Sequence, residues 1–336
     1  MNEELAMLRH AIRDYDLDPA ALRIESRLPG IYHSDYHYKI RVEDRCYSAR
    51  FISNRRYEHD VFVALTDQVL EEQMNYIQFL NGRGIPFMRL QAPSFSKSFA
   101  KVSWNGAEYR FLLFEWIEGK HITHCTESVS YQFGQMARKL HDVSIAYPSS
   151  LPKDSHRIGS MKMMGILEDA YASSDLSAAN RSLLHDYILL AKWHIGSAYS
   201  SKLEFMMQSD LNPLNVLWDE EEHIVGIVDF EHIGYTDRIE GLAWLIKWYS
   251  RTKGLESHEV SPALAESLLS GYGARDFLGR DERIRLSSLI WLTGCFNWGF
   301  VHKTKKILES KEHDRLAEHL AKFRERGLKL SALITV

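Results

Sequence analysis

Residues 208–231 read QSDLNPLNVLWDEEEHIVGIVDFE. Two short apolar runs, Val216–Leu217–Trp218 and Ile224–Val225–Gly226–Ile227–Val228, flank the acidic turn Asp219–Glu222. Strand, polar turn and strand in that order is the pattern of a β-hairpin. Asp210 and Asn215 precede the first run and Asp229 follows the second. Folding the hairpin back therefore predicts all three polar residues at one end of it.

Those residue types suit one kind of chemistry. A phosphoryl donor is a magnesium-bound polyanion, and Mg²⁺ takes hard oxygen ligands from one or two side chains plus phosphates and water. Asn215 offers a neutral amide oxygen and Asp229 a carboxylate. Asp210 is placed to take or orient the proton of an acceptor hydroxyl while electrostatics hold a loose transition state. An ordinary acidic hairpin with an Asx-turn at its base would explain any one of these residues. It does not explain the whole set on this local structure.

Asp-x-x-x-x-Asn, followed after a hairpin by Asp-Phe-Glu, is similar to the catalytic loop and metal-binding segment of kinases. The wording SDLNPLNVLWD, then IVGIVDFEHIGYTDRIEGLAWL, resembles the aminoglycoside phosphotransferase-like kinases, a group that includes choline, homoserine and methylthioribose kinases. The resemblance implies a two-lobed, protein kinase-like α+β fold. Residues 1–117 would form a small sheet-based nucleotide-binding lobe, and residues 118–336 a larger helical lobe with the catalytic hairpin and acceptor site. The implied reaction moves the γ-phosphate of ATP or GTP, with Mg²⁺, to a hydroxyl of a small molecule. A protein Ser/Thr kinase of the same fold stays open, as does a catalytically weak nucleotide-binding pseudokinase. The pseudokinase reading draws on three departures: Gln208, Arg50 and Gln73 stand where the family has His, Lys and a helix Glu. Gln208 both donates and accepts hydrogen bonds, so it suits the loop-bracing part of that His.

Other expected site residues follow from the resemblance. Ile24 to Phe51 alternates and is broken at Pro29–Gly30 and Glu43–Asp44–Arg45, which reads as three strands. The turn between the first two carries Gly30 and Ser34 as candidates over the donor phosphates. On the third strand Arg50 takes the place of the phosphate-holding Lys, and a guanidinium grips two oxygens at once. A helix expected over 57–81 ends at Gly82-Arg-Gly84. Counting back from there puts Gln73 at the family's Glu position and makes Glu72 the expected partner of Arg50, with a solvated acidic face as the alternative. Two runs, 99–104 and 109–117, joined by Asn105–Gly106, read as a hairpin. Its second arm, YRFLLFEWIEGK, resembles the kinase hinge, so Glu115, Trp116 and Ile117 are expected to line the nucleobase slot. Past the catalytic hairpin, Glu231, Asp237 and Glu240 are substrate-contact candidates, with capping or loop bracing expected first from Asp237 and Glu240.

The remainder predicts helices: SYQFGQMARKLHDVSI with a structural His141, others from 161 to about 202, then 262–272, 283–306 and 311–330, with an irregular insertion over 148–160. The aromatic residues Trp291, Phe296, Trp298 and Phe300 read as core before substrate wall.

Composition sets the outer bounds. At 336 residues, with 45% apolar and 26% charged residues, the chain is an ordinary globular one with ample core. A net charge of −4 offers no electrostatic reason to expect nucleic acid or an anionic membrane. Cys46, Cys125 and Cys295 are widely spaced, and HITHCTE at 121–127 matches no zinc spacing. Free thiols in a reducing cytoplasm fit best. The first residues read as neither signal nor transit peptide, and no apolar run reaches membrane-spanning length.

Overall fold

The computed structural model describes residues 2–29, 35–54, 65–96, 98–151, 157–200, 205–255, 257–310 and 314–334. Gly30, Ser34 and the 57–64 part of the expected helix lie outside the described residues. The chain divides into two compact units. The first comprises 1–120, 147–151 and 225–230, and the second the rest.

In the first unit, alternating sequence builds an antiparallel sheet from β1 (Leu22–Arg27), β2 (Tyr36–Val42), β3 (Arg45–Ser53), β4 (Leu90–Gln91), β5 (Ala100–Trp104) and β6 (Ala107–Glu115). The order is β1-β2-β3-β6-β4, with β5 also on β6. Asn105 and Gly106 both have positive φ, 49° and 74°, the tight turn that joins β5 to β6. One face of the sheet buries Tyr38, Ile40, Ala49, Phe51 and Phe111 with Met7 and Leu8 of α1 (Asn2–Ala11). Each fully buried large side chain contributes roughly 1.5–3 kcal/mol. Because successive strand residues point to opposite faces, burying Ala49 and Phe51 turns Arg50 to the other face.

Helix α2 (Asp67–Gly82) starts on a Thr66 cap, whose hydroxyl accepts from the amide of Val69 at 3.3 Å. Such a cap contributes about 1 kcal/mol. Leu70, Met74, Ile77 and Leu80 form its buried face.

The second unit is helical around one short strand pair. Its helices are α3 (Glu127–Ser144), α4 (Arg157–Ser173), α5 (Ala178–Ser197), α6 (Arg238–Tyr249), α7 (Pro262–Tyr272), α8 (Arg280–Cys295), α9 (Trp298–Glu309) and α10 (Asp314–Ser331). β7 (Phe205–Gln208) pairs antiparallel with β10 (Ile233–Thr236). The predicted hairpin is present as β8 (Val216–Trp218) and β9 (Ile224–Ile227), and its turn closes with the amide of Asp219 donating to the carbonyl of His223 at 3.0 Å. The helix expected over 283–306 is two helices. Asn297 breaks it, its side chain capping α9 by accepting from the amide of Phe300 at 3.0 Å. The insertion expected over 148–160 gives way to α4 from Arg157. Trp291, Phe296 and Phe300 are core, whereas Trp298 is exposed. Cys46, Cys125 and Cys295 are free. No helix of the described residues is long and apolar enough to cross a membrane.

Candidate active site

The loop that carries Asp210 and Asn215 grows out of β7. Gln208 is fully buried, and its Oε1 accepts from the amide of Asp210 at 3.3 Å. The next residue, Ser209, bonds the carbonyl of His232 with both its amide and its hydroxyl, each at 3.1 Å. Asn212 starts a 3-10 turn over Pro213–Asn215 by accepting from the amide of Leu214 at 2.8 Å. That turn swings Asn215 back, so that its Nδ2 donates to the carbonyl of Asp210 at 2.7 Å. Asp210 and Asn215 are thereby locked together. The Asn215 amide nitrogen is spent on this bond, while its Oδ1 makes no hydrogen bond among the described residues. Asp210 is half-buried.

Behind the loop, His141 of α3 is fully buried and bonds the Tyr272 hydroxyl through Nδ1 at 2.6 Å. Burial, with the cation of Arg238 next in weight, pushes it down to about 3, so it is neutral. Its ring fills the space against Gly241. A Cβ at 241 would come within 2.8 Å of His141 Cε1 and 2.9 Å of Met207 Sδ. Asp237 caps α6, accepting from the amides of Ile239 and Glu240 at 2.9 and 3.1 Å. Both its oxygens also meet the Arg285 guanidinium, at 2.8 and 2.6 Å. Asp237 therefore does the capping and bracing expected of it. Glu240 is buried on the same helix and Glu231 is half-buried after β9.

In the first unit, residues 225–230 run alongside the segment after α2. The amide of Ile227 donates to Pro86 O at 2.7 Å, and the amide of Met88 to Ile227 O at 2.8 Å. Asp229 then adopts a left-handed φ of 71°, and its Oδ1 accepts from the amide of Phe230 at 2.6 Å. Such a conformation in a non-glycine residue is strained and is often found at functional sites. Phe230 packs on Phe114 of β6, ring centres 5.8 Å apart. The Arg50 guanidinium sits 5.3 Å from the Phe230 ring centre. Arg50 thus projects to the segment that carries Asp229.

His37 pairs with Arg50 across β2 and β3. Burial, and then the Arg50 charge, push His37 down to about 4, with Asp229 pulling the other way. His37 was not foreseen; strand register alone would have located it. Glu72, the expected partner of Arg50, is buried and holds a further contact. Its Oε1 accepts from the amide of Ser150 at 3.0 Å, while Gln73 is the next buried residue of α2. One residue on a helix is a turn of about 100°, so adjacent positions serve different neighbours. At the expected hinge, Glu115 and Trp116 donate their amides to Arg89 O and Cys46 O at 2.9 and 3.0 Å. The amide of Ile117 makes no hydrogen bond among the described residues. Lys39 lies 4.3 Å over the Trp116 ring.

Among the described residues no group of three or more His, Cys, Asp or Glu side chains is placed to hold a metal.

No curated protein sequence matches the chain. Solved structures do. An amicoumacin kinase is 14% identical, covering 97% of this chain and 94% of its own, with a TM-score of 0.66. A microcompartment-associated aminopropanol kinase is 16% identical over 98% and 95%, TM-score 0.63. A spectinomycin phosphotransferase is 17% identical over 99% and 98%, TM-score 0.62. At such identities these likenesses carry the fold. Residues 33–283 match the model of the phosphotransferase enzyme family (APH), so the chain belongs to that family and is a kinase that transfers phosphate to an alcohol group.

Proposed function

We propose that this chain transfers the γ-phosphate of ATP or GTP, in a Mg²⁺-dependent reaction, to a hydroxyl of a small molecule. The observation that carries the reading is the lock between Asp210 and Asn215, a 2.7 Å bond from Asn215 Nδ2 to Asp210 O. It holds the Asn215 side chain against the Asp210 backbone, which leaves the Asn215 amide oxygen for a metal next to the residue whose carboxylate is proposed to meet the acceptor proton. Asp210 takes or orients the hydroxyl proton. Asn215 Oδ1 and the Asp229 carboxylate would hold the ion, which when bound neutralises charge on the donor phosphates. Arg50 binds the phosphates with its fork of donors, and the Phe230 ring sets its direction. Glu115, Trp116 and Ile117 form the nucleobase edge, with the Ile117 amide as the donor still available to a base. The amicoumacin kinase was solved with AMP-PNP and Ca²⁺ and the spectinomycin phosphotransferase with ADP. Those pairings support a nucleotide donor here.

The test is turnover of ATP and of GTP, with and without Mg²⁺, across hydroxyl-bearing small molecules. Asp229→Ala removes the charged ligand proposed for the metal, so its nucleotide affinity should no longer respond to Mg²⁺. Asp210→Asn should keep nucleotide affinity and lose about a hundredfold or more in transfer. An Asp210→Asn enzyme with native turnover would return Asp210 to a purely structural part.

A further inference from the structure

The helical unit contains a cavity of about 110 Å³ between α6, α8 and α10 whose wall is cationic. Lys247, Arg251 and Arg326 line it together with His258, and no acidic residue does among those described. Arg326 donates from Nη1 to the carbonyl of Gly294 at 3.1 Å and from Nη2 to His258 Nε2, while its buried Nε has no hydrogen-bond partner. Arg251 reaches the carbonyls of Lys247 and Leu255. Both guanidiniums thus have partial structural duties. Lys247 has none. Its ammonium lies over the rings of Trp244 and Trp248, at 4.8 and 4.5 Å, and makes no hydrogen bond or ion pair among the described residues.

Lys247 and Arg326, neither in an ion pair among the described residues, are unfavourable on one small wall unless something negative completes it. Burial, then the nearby charges of Arg251 and Arg326, lower Lys247 to about 8, with Asp210 pulling it back up. It is therefore still protonated at neutral pH, and it is near enough to the proposed catalytic carboxylate to feel its field. The cavity has room for several water-sized groups. We propose that this cavity binds an anionic group, carboxylate or phosphate, of the hydroxyl acceptor, so that the substrate class is an anionic alcohol and not a polycationic one. The inference rests on the kinase reading above for the word acceptor, but the anion site itself does not.

One three-carbon skeleton tests it: glycerol, glycerate, glycerol 3-phosphate and 3-amino-1,2-propanediol. Binding is read by the fluorescence of Trp244 and Trp248, and turnover by nucleotide consumption. Glycerate or glycerol 3-phosphate should bind at least tenfold more tightly than glycerol, and the amine more weakly still. Lys247→Met should abolish that preference while nucleotide affinity holds. Arg326→Gln, checked by circular dichroism, serves the same purpose if Lys247→Met fails to fold. Inorganic phosphate should compete with whichever anion binds. Equal binding of all four compounds, or preference for the amine, overturns the proposal. So does a Lys247→Met enzyme with unchanged preference but a shifted pH–rate profile, because Lys247 would then serve only Asp210. Anion binding with no turnover on any acceptor leaves the site standing and sinks the kinase reading. Turnover on cationic acceptors without anion binding does the reverse.

Discussion

Arg50 is the side chain of the first unit proposed to bind the donor phosphates. It stands where a phosphate-holding lysine is common in kinases, and the exchange alters geometry while keeping the charge. A guanidinium is planar and permanently protonated, so it meets two phosphate oxygens at once but tolerates little misdirection. The Phe230 ring, 5.3 Å away, supplies direction through a contact of about 0.5–1 kcal/mol. His37 opposite is held neutral, so it adds no competing positive charge. Arg50→Met should raise the nucleotide Kd by about tenfold to a hundredfold, the loss of one charge-assisted contact worth roughly 1.5–3 kcal/mol. Arg50→Lys should fall between that variant and the native chain. Isothermal titration with ATP checks both, and an unchanged Kd for Arg50→Met would remove Arg50 from the phosphate site. Glu72 belongs to the same scale. Its bond to the Ser150 amide means that Glu72→Gln, which keeps an acceptor oxygen, should leave ATP affinity near native.

At the scale of elements, what was legible in the sequence is what local pattern controls. The hairpin at β8 and β9, the glycine-ended α2 and the Asn105–Gly106 turn were all readable from strand alternation and turn chemistry. So was the Gln208 brace, because a loop needing a buried acceptor beside Asp210 can be served by an amide. Packing was not legible. Nothing in the run of residues 283–306 says that Asn297 caps a new helix, since an Asn inside an apolar pattern is a cap only when the preceding chain turns. Nor does the sequence pair Lys247 with Arg326, 79 positions away, because that meeting depends on how α6 and α10 lie. Gly241 shows the same limit. Its reason is the imidazole of His141, a hundred residues earlier. Gly241→Ala should therefore destabilise the protein by about 1–3 kcal/mol through overpacking, seen as a lower urea midpoint with unchanged slope. A native midpoint would mean that the His141 ring gives way freely.

Across the whole molecule, buried histidines are the groups most exposed to a change in pH. His37 in the first unit and His141, His194 and His319 in the second are all depressed, to about 4, 3, 4 and 4, mainly by burial. In the unfolded chain each would titrate near 6.5. Between that value and the folded one, the unfolded state binds more protons than the native state. Stability therefore rises with pH over this window and falls as acid is added. Their contribution is fully present above about 6.5 and is lost progressively on the way down to 4. Carboxylates with ordinary values stay mostly ionised until the lower part of that window, so the span from 7.5 to 5 reports chiefly on histidine. The urea midpoint should drop between pH 7.5 and 5. Replacing His194, which stacks on Trp291 at 4.1 Å with its Nδ1 unbonded, by Gln should flatten part of that slope. A midpoint that does not move over this range would mean that the histidines are reached by water and protonated in the native state, against the burial that positions His141 behind the catalytic loop.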